Sequence, residues 1–239
     1  MVKSNAVILA STAFCLGALT GCWEGISRDV LATVLSVHGD STVRFGQHGK
    51  FQSVNADSTF PAGSHIETAA GAVLDLILLP GLFVRVFDNS KLDIENLTLV
   101  KDGNETGGGM SSRAARVRLL QGRVVASFED SRGARGELVL TTDRITITAN
   151  PASLLRVESG ERETRVVSAW RTIYTAPADS GDPGVPQGYY QVWPSDVRRA
   201  IPTADDARAQ ADLAETVAVG NELRDLREAN LPRANQLPR

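Results

Sequence analysis

Between Leu31 and Thr175 apolar and polar residues alternate along short runs, and turn residues interrupt those runs every few positions. Leu31, Thr33, Leu35 and Val37 alternate with Ala32, Val34, Ser36 and His38, and Val43 and Phe45 share one face of the next run. Leu92 and Ile94 alternate with Asp93 and Glu95, as do Ile145 and Ile147 with Arg144, Thr146 and Thr148. A period of two with one polar face predicts half-buried strands. The run from Ala72 to Leu79 is apolar on both faces except at Asp75, which predicts a strand covered on both sides. His38-Gly39-Asp40, Pro61-Ala62-Gly63, Pro80-Gly81, Asp88-Asn89-Ser90 and Gln121-Gly122 supply the turns. No helical period intervenes, so the fold class is all-β. Short stacked strands in a solenoid and a β-sandwich both satisfy this pattern.

The start of the chain has a different logic. Lys3 precedes an apolar run from Ala6 to Ala18 that ends in Leu19-Thr20-Gly21-Cys22, too short to span a bilayer and built like a secretory signal. The Leu-Thr-Gly-Cys ending resembles the bacterial lipobox, which implies lipid on the Cys22 thiol and cleavage before it. Residues 1–21 are then a signal peptide and residues 22–30 a tether. The implied location is the cell envelope, lipid-anchored and facing the periplasm. Trp23 stands where the inner-membrane retention signal has Asp, which favours the outer membrane. Cys15 leaves with the signal, so no disulfide and no thiolate metal site is expected. A net charge of −3 argues against a nucleic-acid partner bound through phosphates.

Beyond Thr175 the composition changes twice. Residues 176–202 open as a linker rich in Pro, Gly and Asp and close on Tyr189-Tyr190-Gln191-Val192-Trp193, a strip expected either to dock on the β domain or to serve as an exposed recognition surface. Residues 203–230 read as one long helix capped by Thr203, with Asp205 and Asp206 in its first turn, and 231–239 as a tail. Ala204, Ala207, Ala211, Ala214 and Ala218 form a seam of small residues. The helix could fold back on the β domain, self-associate through that seam, or act as a spacer.

The order of motifs from residue 31 to 175 resembles the FecR domain, the periplasmic part of ferric-citrate-type regulators. The likeness runs through the Ala32 to Gly39 strand and turn, Phe60 to Leu76, Leu82 to Ile94, and Val117-Arg-Leu-Leu-Gln-Gly-Arg-Val-Val-Ala126. Near Ala149 to Val157 the family has Gly-Thr before its next strand, where this chain has Leu154-Leu155. The resemblance implies a stack of short strands that binds a protein partner in sensing or signal transduction. The family's regulators also carry a cytoplasmic anti-sigma segment and a membrane-spanning helix, and neither is expected here. The alternative is a structural tether or assembly module of the envelope.

No catalytic residues, cofactor or metal are expected. Gly39-Asp40-Ser41 lacks the late histidine that an esterase needs, since His38, His48 and His65 all fall early. Those histidines have no ligand spacing, and Asp102-Gly103-Asn104-Glu105 lacks a calcium loop's ladder of ligands. Asp88, Asp93, Glu95, Glu129 and Asp143 are scattered over strands and turns rather than clustered.

Overall fold

The computed structural model describes residues 26–46, 48–101, 110–131, 134–176, 184–194 and 200–230. Cys22, the linker's first half, the loop with Asp102 to Glu105 and the tail lie outside them. In chain order the strands are β1 (Ile26–Asp29), β2 (Ala32–His38), β3 (Ser41–Phe45), β4 (Gln52–Ser53), β5 (Thr59–Phe60) and β6 (Ser64–Thr68). They continue as β7 (Val73–Leu79), β8 (Leu82–Val86), β9 (Lys91–Lys101), β10 (Met110–Phe128), β11 (Arg135–Thr141) and β12 (Thr146–Ala149). The last are β13 (Ser153–Ser159), β14 (Thr164–Trp170), β15 (Ile173–Ala176), β16 (Gly184–Val185), β17 (Tyr189–Trp193) and β18 (Ile201–Pro202). One turn of 3-10 helix (Thr203–Asp205) then leads into α1 (Ala207–Ala229). The fold is mostly β with one carboxy-terminal helix, as the alternation and the final segment predict.

Two sheets share one strand. Sheet A runs β4-β3-β6-β9-β10-β11-β12-β15-β16, with β1 beside the second half of β9. Sheet B runs β5-β2-β7-β8-β10-β13-β14-β17-β18. The first part of β10 belongs to A and the part from Gly122 onward to B. Among the described residues the pairings branch from β10 and none returns to close a ring. Every pair is antiparallel except β10 with β11, so neighbouring strands do not wind as the parallel coils of a β-helix do.

The core lies between the sheets. Leu92, Ile94, Val117, Leu140 and Ile147 of sheet A meet Val34, Leu74, Leu76, Val84, Val124 and Val157 of sheet B in one buried cluster. On β2 the inward phase is Ala32 and Val34, while Leu31 is 49% exposed. Leu35 faces the opposite side of sheet B by ordinary alternation, and the register shift after Val34 sets Ser36 beside Asp75 on that same face and returns Val37 to the core side. β7 is covered on both sides as its composition predicts, by the core beneath and by α1 above.

Three boundaries differ from those read in the sequence. Ile26–Asp29, placed in the tether, pairs with Thr98–Lys101. The aromatic strip is strand β17, hydrogen-bonded to β14, with Tyr190 and Trp193 buried. The helix cap is Asp206, whose side chain accepts from the Ala209 N–H at 3.0 Å. Thr203 instead donates its hydroxyl to the Gly188 carbonyl at 2.8 Å, because the 3-10 turn is pulled onto the sheet before α1 begins.

Candidate functional site

The outer face of sheet B carries a row of side chains that sequence spacing alone does not align. Cross-strand register places Asp75, Arg85, Val125, Arg156, Val167 and Tyr190 side by side on β7, β8, β10, β13, β14 and β17. The next row holds Arg123, Glu158 and Arg165. Towards the other end of the same face stand Ile77, Phe83, Leu154 and Ala169, apolar and buried. The face is therefore half charged and half greasy.

α1 lies across it and matches both halves. Val219 and Leu223 cover the apolar patch, with Leu213 and Val217 at its margin. Asp212 pairs with Arg165 at 3.0 Å and with Arg156 at 3.1 Å. Glu215 reaches Arg156 at 2.5 Å and Arg123 at 3.3 Å. Arg85 lies between Asp75 of its own sheet, at 2.7 Å, and Glu222 of the helix. Burial pulls the Arg85 guanidinium down, but its hydrogen bonds to Asp75 and Glu222 more than offset this and hold it above its ordinary value. Arg227 closes the far end on Glu129 at 2.9 Å. Arg123 also stacks on Phe87 at 3.8 Å, and Arg165 on Tyr190 at 4.3 Å.

The sequence carries one trace of this seat: Asp212, Glu215, Val219, Glu222 and Leu223 fall on one helical face by their three- and four-residue steps. The alanine seam is elsewhere. Ala207, Ala211, Ala214 and Ala218 are all exposed, on the side of the helix turned from the sheet, and Ala204 is exposed in the 3-10 turn before it. Of the three fates open to the helix, folding back is the one observed.

The outer face of sheet A has no covering element among the described residues. Here His65 on β6 stands between two carboxylates, with Nδ1 at 2.5 Å from Asp93 and Nε2 at 3.1 Å from Glu67. The His65 hydrogen bond outweighs desolvation and keeps the Glu67 carboxyl below its ordinary value. Phe51 packs edge-on against His65 at 6.0 Å and under Arg44 at 5.1 Å. A shallow cavity of about 430 Å³ beside them is lined by Arg44, Gly63, His65, Asp93, Glu95 and Leu120. The arrangement offers charges of both signs and an aromatic ring to a polar partner.

The other residues weighed in the sequence are dispersed. Ser41 is buried with its hydroxyl unpartnered, and His38 lies at the opposite side of the sandwich, by Asp75 and Arg85. Glu129 binds Arg227, Asp143 binds Arg118 at 2.9 Å, and Asp88 sits near the Gly71 N–H. Among the described residues no group of three or more His, Cys, Asp or Glu is placed to hold a metal. No helix among them is long and apolar enough to cross a membrane. Cys22 lies outside the described residues.

No family model matches the chain, and no curated protein matches it. Among solved structures it is similar to two crystal structures of a candidate anti-sigma factor from Parabacteroides distasonis, at 10% and 9% identity, each with a TM-score of 0.37. Each match covers 57% of this chain and 57% of the other, so the chain spans little more than half the length of the proteins it matches.

Proposed function

We propose that this chain is a non-catalytic, lipid-anchored protein of the bacterial envelope whose FecR-like β domain binds a protein partner in sensing or signal transduction. The observation that carries the reading is the contrast between the two outer sheet faces. Sheet B is closed by the chain's own helix with charge matched to charge, whereas sheet A keeps Arg44, Phe51, His65 and Glu95 at the surface with no covering element among the described residues. A face that is polar, ordered by backbone pairing and uncovered is suited to recognising another protein. The order of FecR-type motifs between residues 31 and 175 supports the same reading.

Anchoring follows from Cys22. Two or three acyl chains hold a protein to a leaflet for practical purposes, at about 0.8 kcal/mol per buried methylene. The wild-type chain is expected in the membrane pellet and the Cys22→Ala variant in the soluble fraction; an unchanged pellet would overturn the anchor. For the partner, a photo-crosslinking residue at position 44 or 95 of the full chain in cells is expected to capture one envelope protein in stoichiometric yield. Capture of cell-wall polymer alone, or of further copies of the chain, would support the structural-tether alternative instead.

A further inference from the structure

The short leash between Cys22 and the first strand determines which end of the sandwich meets the membrane. Cys22 and Ile26 are four peptide steps apart, so their Cα atoms are separated by at most about 14 Å. Ile26 is not loose: it pairs with Lys101, which in turn pairs with Met110. Ser112, the next paired residue on β10, stands opposite Arg135 on β11. Adjacent strands are about 4.8 Å apart, which puts Lys101, Met110 and Arg135 within about 15 Å of Ile26. β9 then runs from Lys101 to Lys91, about 34 Å at strand rise. The turns beyond Lys91, with Asp40 and Ala70 exposed, form the opposite end of the molecule.

We infer that the end of the sandwich formed by the start of β1, Lys101, Met110 and Arg135 rests against the phospholipid headgroups of the leaflet that holds the Cys22 lipid. The inference rests on the lipid-anchor reading above. Length is its main support, because the leash is less than half as long as β9, the strand with which β1 pairs. Charge is compatible with it but does not single out this end: among the described residues Arg28, Lys101 and Arg135 have no ion pair, and neither do Arg44, Arg116 and Arg144. For the first three, the nearest acids in register, Asp29 and Glu137, lie further down β1 and β11. Asp102 and Glu105 follow Lys101 in the sequence, so the attraction for anionic lipid is modest and the leash sets the orientation. The His65 pocket and the far-end turns are left clear of the membrane for a partner.

With Cys15 removed with the signal and Cys22 blocked by lipid, a single introduced cysteine reports its own position. The test uses the lipidated full-length protein, purified from membranes and reconstituted in vesicles of phosphatidylethanolamine and phosphatidylglycerol. A fluorophore is placed on Lys101→Cys, Arg135→Cys, Asp40→Cys or Ala70→Cys, and quenching by a headgroup nitroxide lipid is measured. Quenching several-fold stronger at 101 and 135 than at 40 and 70 is the expected result. Equal quenching at all four positions, or stronger quenching at 40 and 70, would overturn the orientation while leaving the anchor intact. A mass showing no acyl chain on Cys22 would overturn the anchor reading and this inference together.

Discussion

At the scale of single residues, the strongest constraints are the buried charges under α1 and the crowded turns. Asp212 is 6% exposed and serves both Arg156 and Arg165, which are as deeply buried. Its removal in Asp212→Ala leaves two guanidinium groups short of a partner and is expected to cost about 3–5 kcal/mol in urea unfolding. Asp143→Ala breaks a pair exposed at both ends and should change stability by less than about 1 kcal/mol. Gly122 has φ +95°, and a Cβ there would lie 2.5 Å from the Ser90 Cα, whereas a Cβ on Gly63 (φ +85°) meets nothing within 4 Å. Gly63→Ala should therefore cost only the left-handed penalty of about 1–2 kcal/mol, and Gly122→Ala distinctly more in the same assay, because backbone must move. Asp206 has its carboxyl held below its ordinary 3.8 by the Ala209 N–H and then by the Tyr190 hydroxyl. A lowered carboxylate contributes stability that is complete above the unfolded value and is lost as pH falls through the folded one. Acid titration of wild type against Asp206→Ala, followed by helical circular dichroism, should show wild type losing its advantage below about pH 4. The turn glycines were legible as turns. The role of Asp75, an odd charge in a greasy run, was not, because its partners Arg85 and Ser36 come from other strands.

At the scale of elements, alternation identified the strands and a run of helix formers identified α1, since both patterns depend only on neighbours along the chain. Which helical face would dock was not legible. The alanine seam suggested a close-packing surface, yet the docked face is the mixed stripe of Asp212, Thr216, Val219, Gly220 and Leu223. The sheet beneath explains the choice: it presents arginines and large apolar groups together, and a stripe of alanines would leave those guanidinium groups unpaired. Leu223→Ala, at a fully buried position, is expected to destabilise by about 2–5 kcal/mol and to speed proteolysis of the carboxy-terminal segment. Ala218→Leu, on the exposed seam, should stay within about 0.5 kcal/mol of wild type in urea unfolding. Comparable losses in the two variants would mean that the helix sits rotated from the position described. Leu154 and Leu155 alternate regularly, one to the helix and the other to the core, while the register shift opposite them makes Ala169 the extra residue of β14 and places it in the apolar patch under the helix.

At the scale of the whole molecule, four of the outer strands are two residues long, β4 and β16 in sheet A and β5 and β18 in sheet B, and β1, the outer strand beside β9, has four. Strands this short offer few free backbone groups, so the edges they form are blunted against strand addition. The Cys22→Ala chain is accordingly expected to sediment as a monomer, and a concentration-dependent dimer would count against blunted edges. Taken alone, the sequence determined the strand-rich region, its turns, the terminal helix and the lipobox-like start, because each is written in local spacing and residue type. Only the tertiary structure decided that β10 passes from one sheet to the other, that the aromatic strip is a strand, and that the helix is seated by its acids. Those outcomes depend on cross-strand register between residues far apart in the chain, which assembles arginines from β8, β10, β13 and β14 into one charged face that no single run of sequence displays.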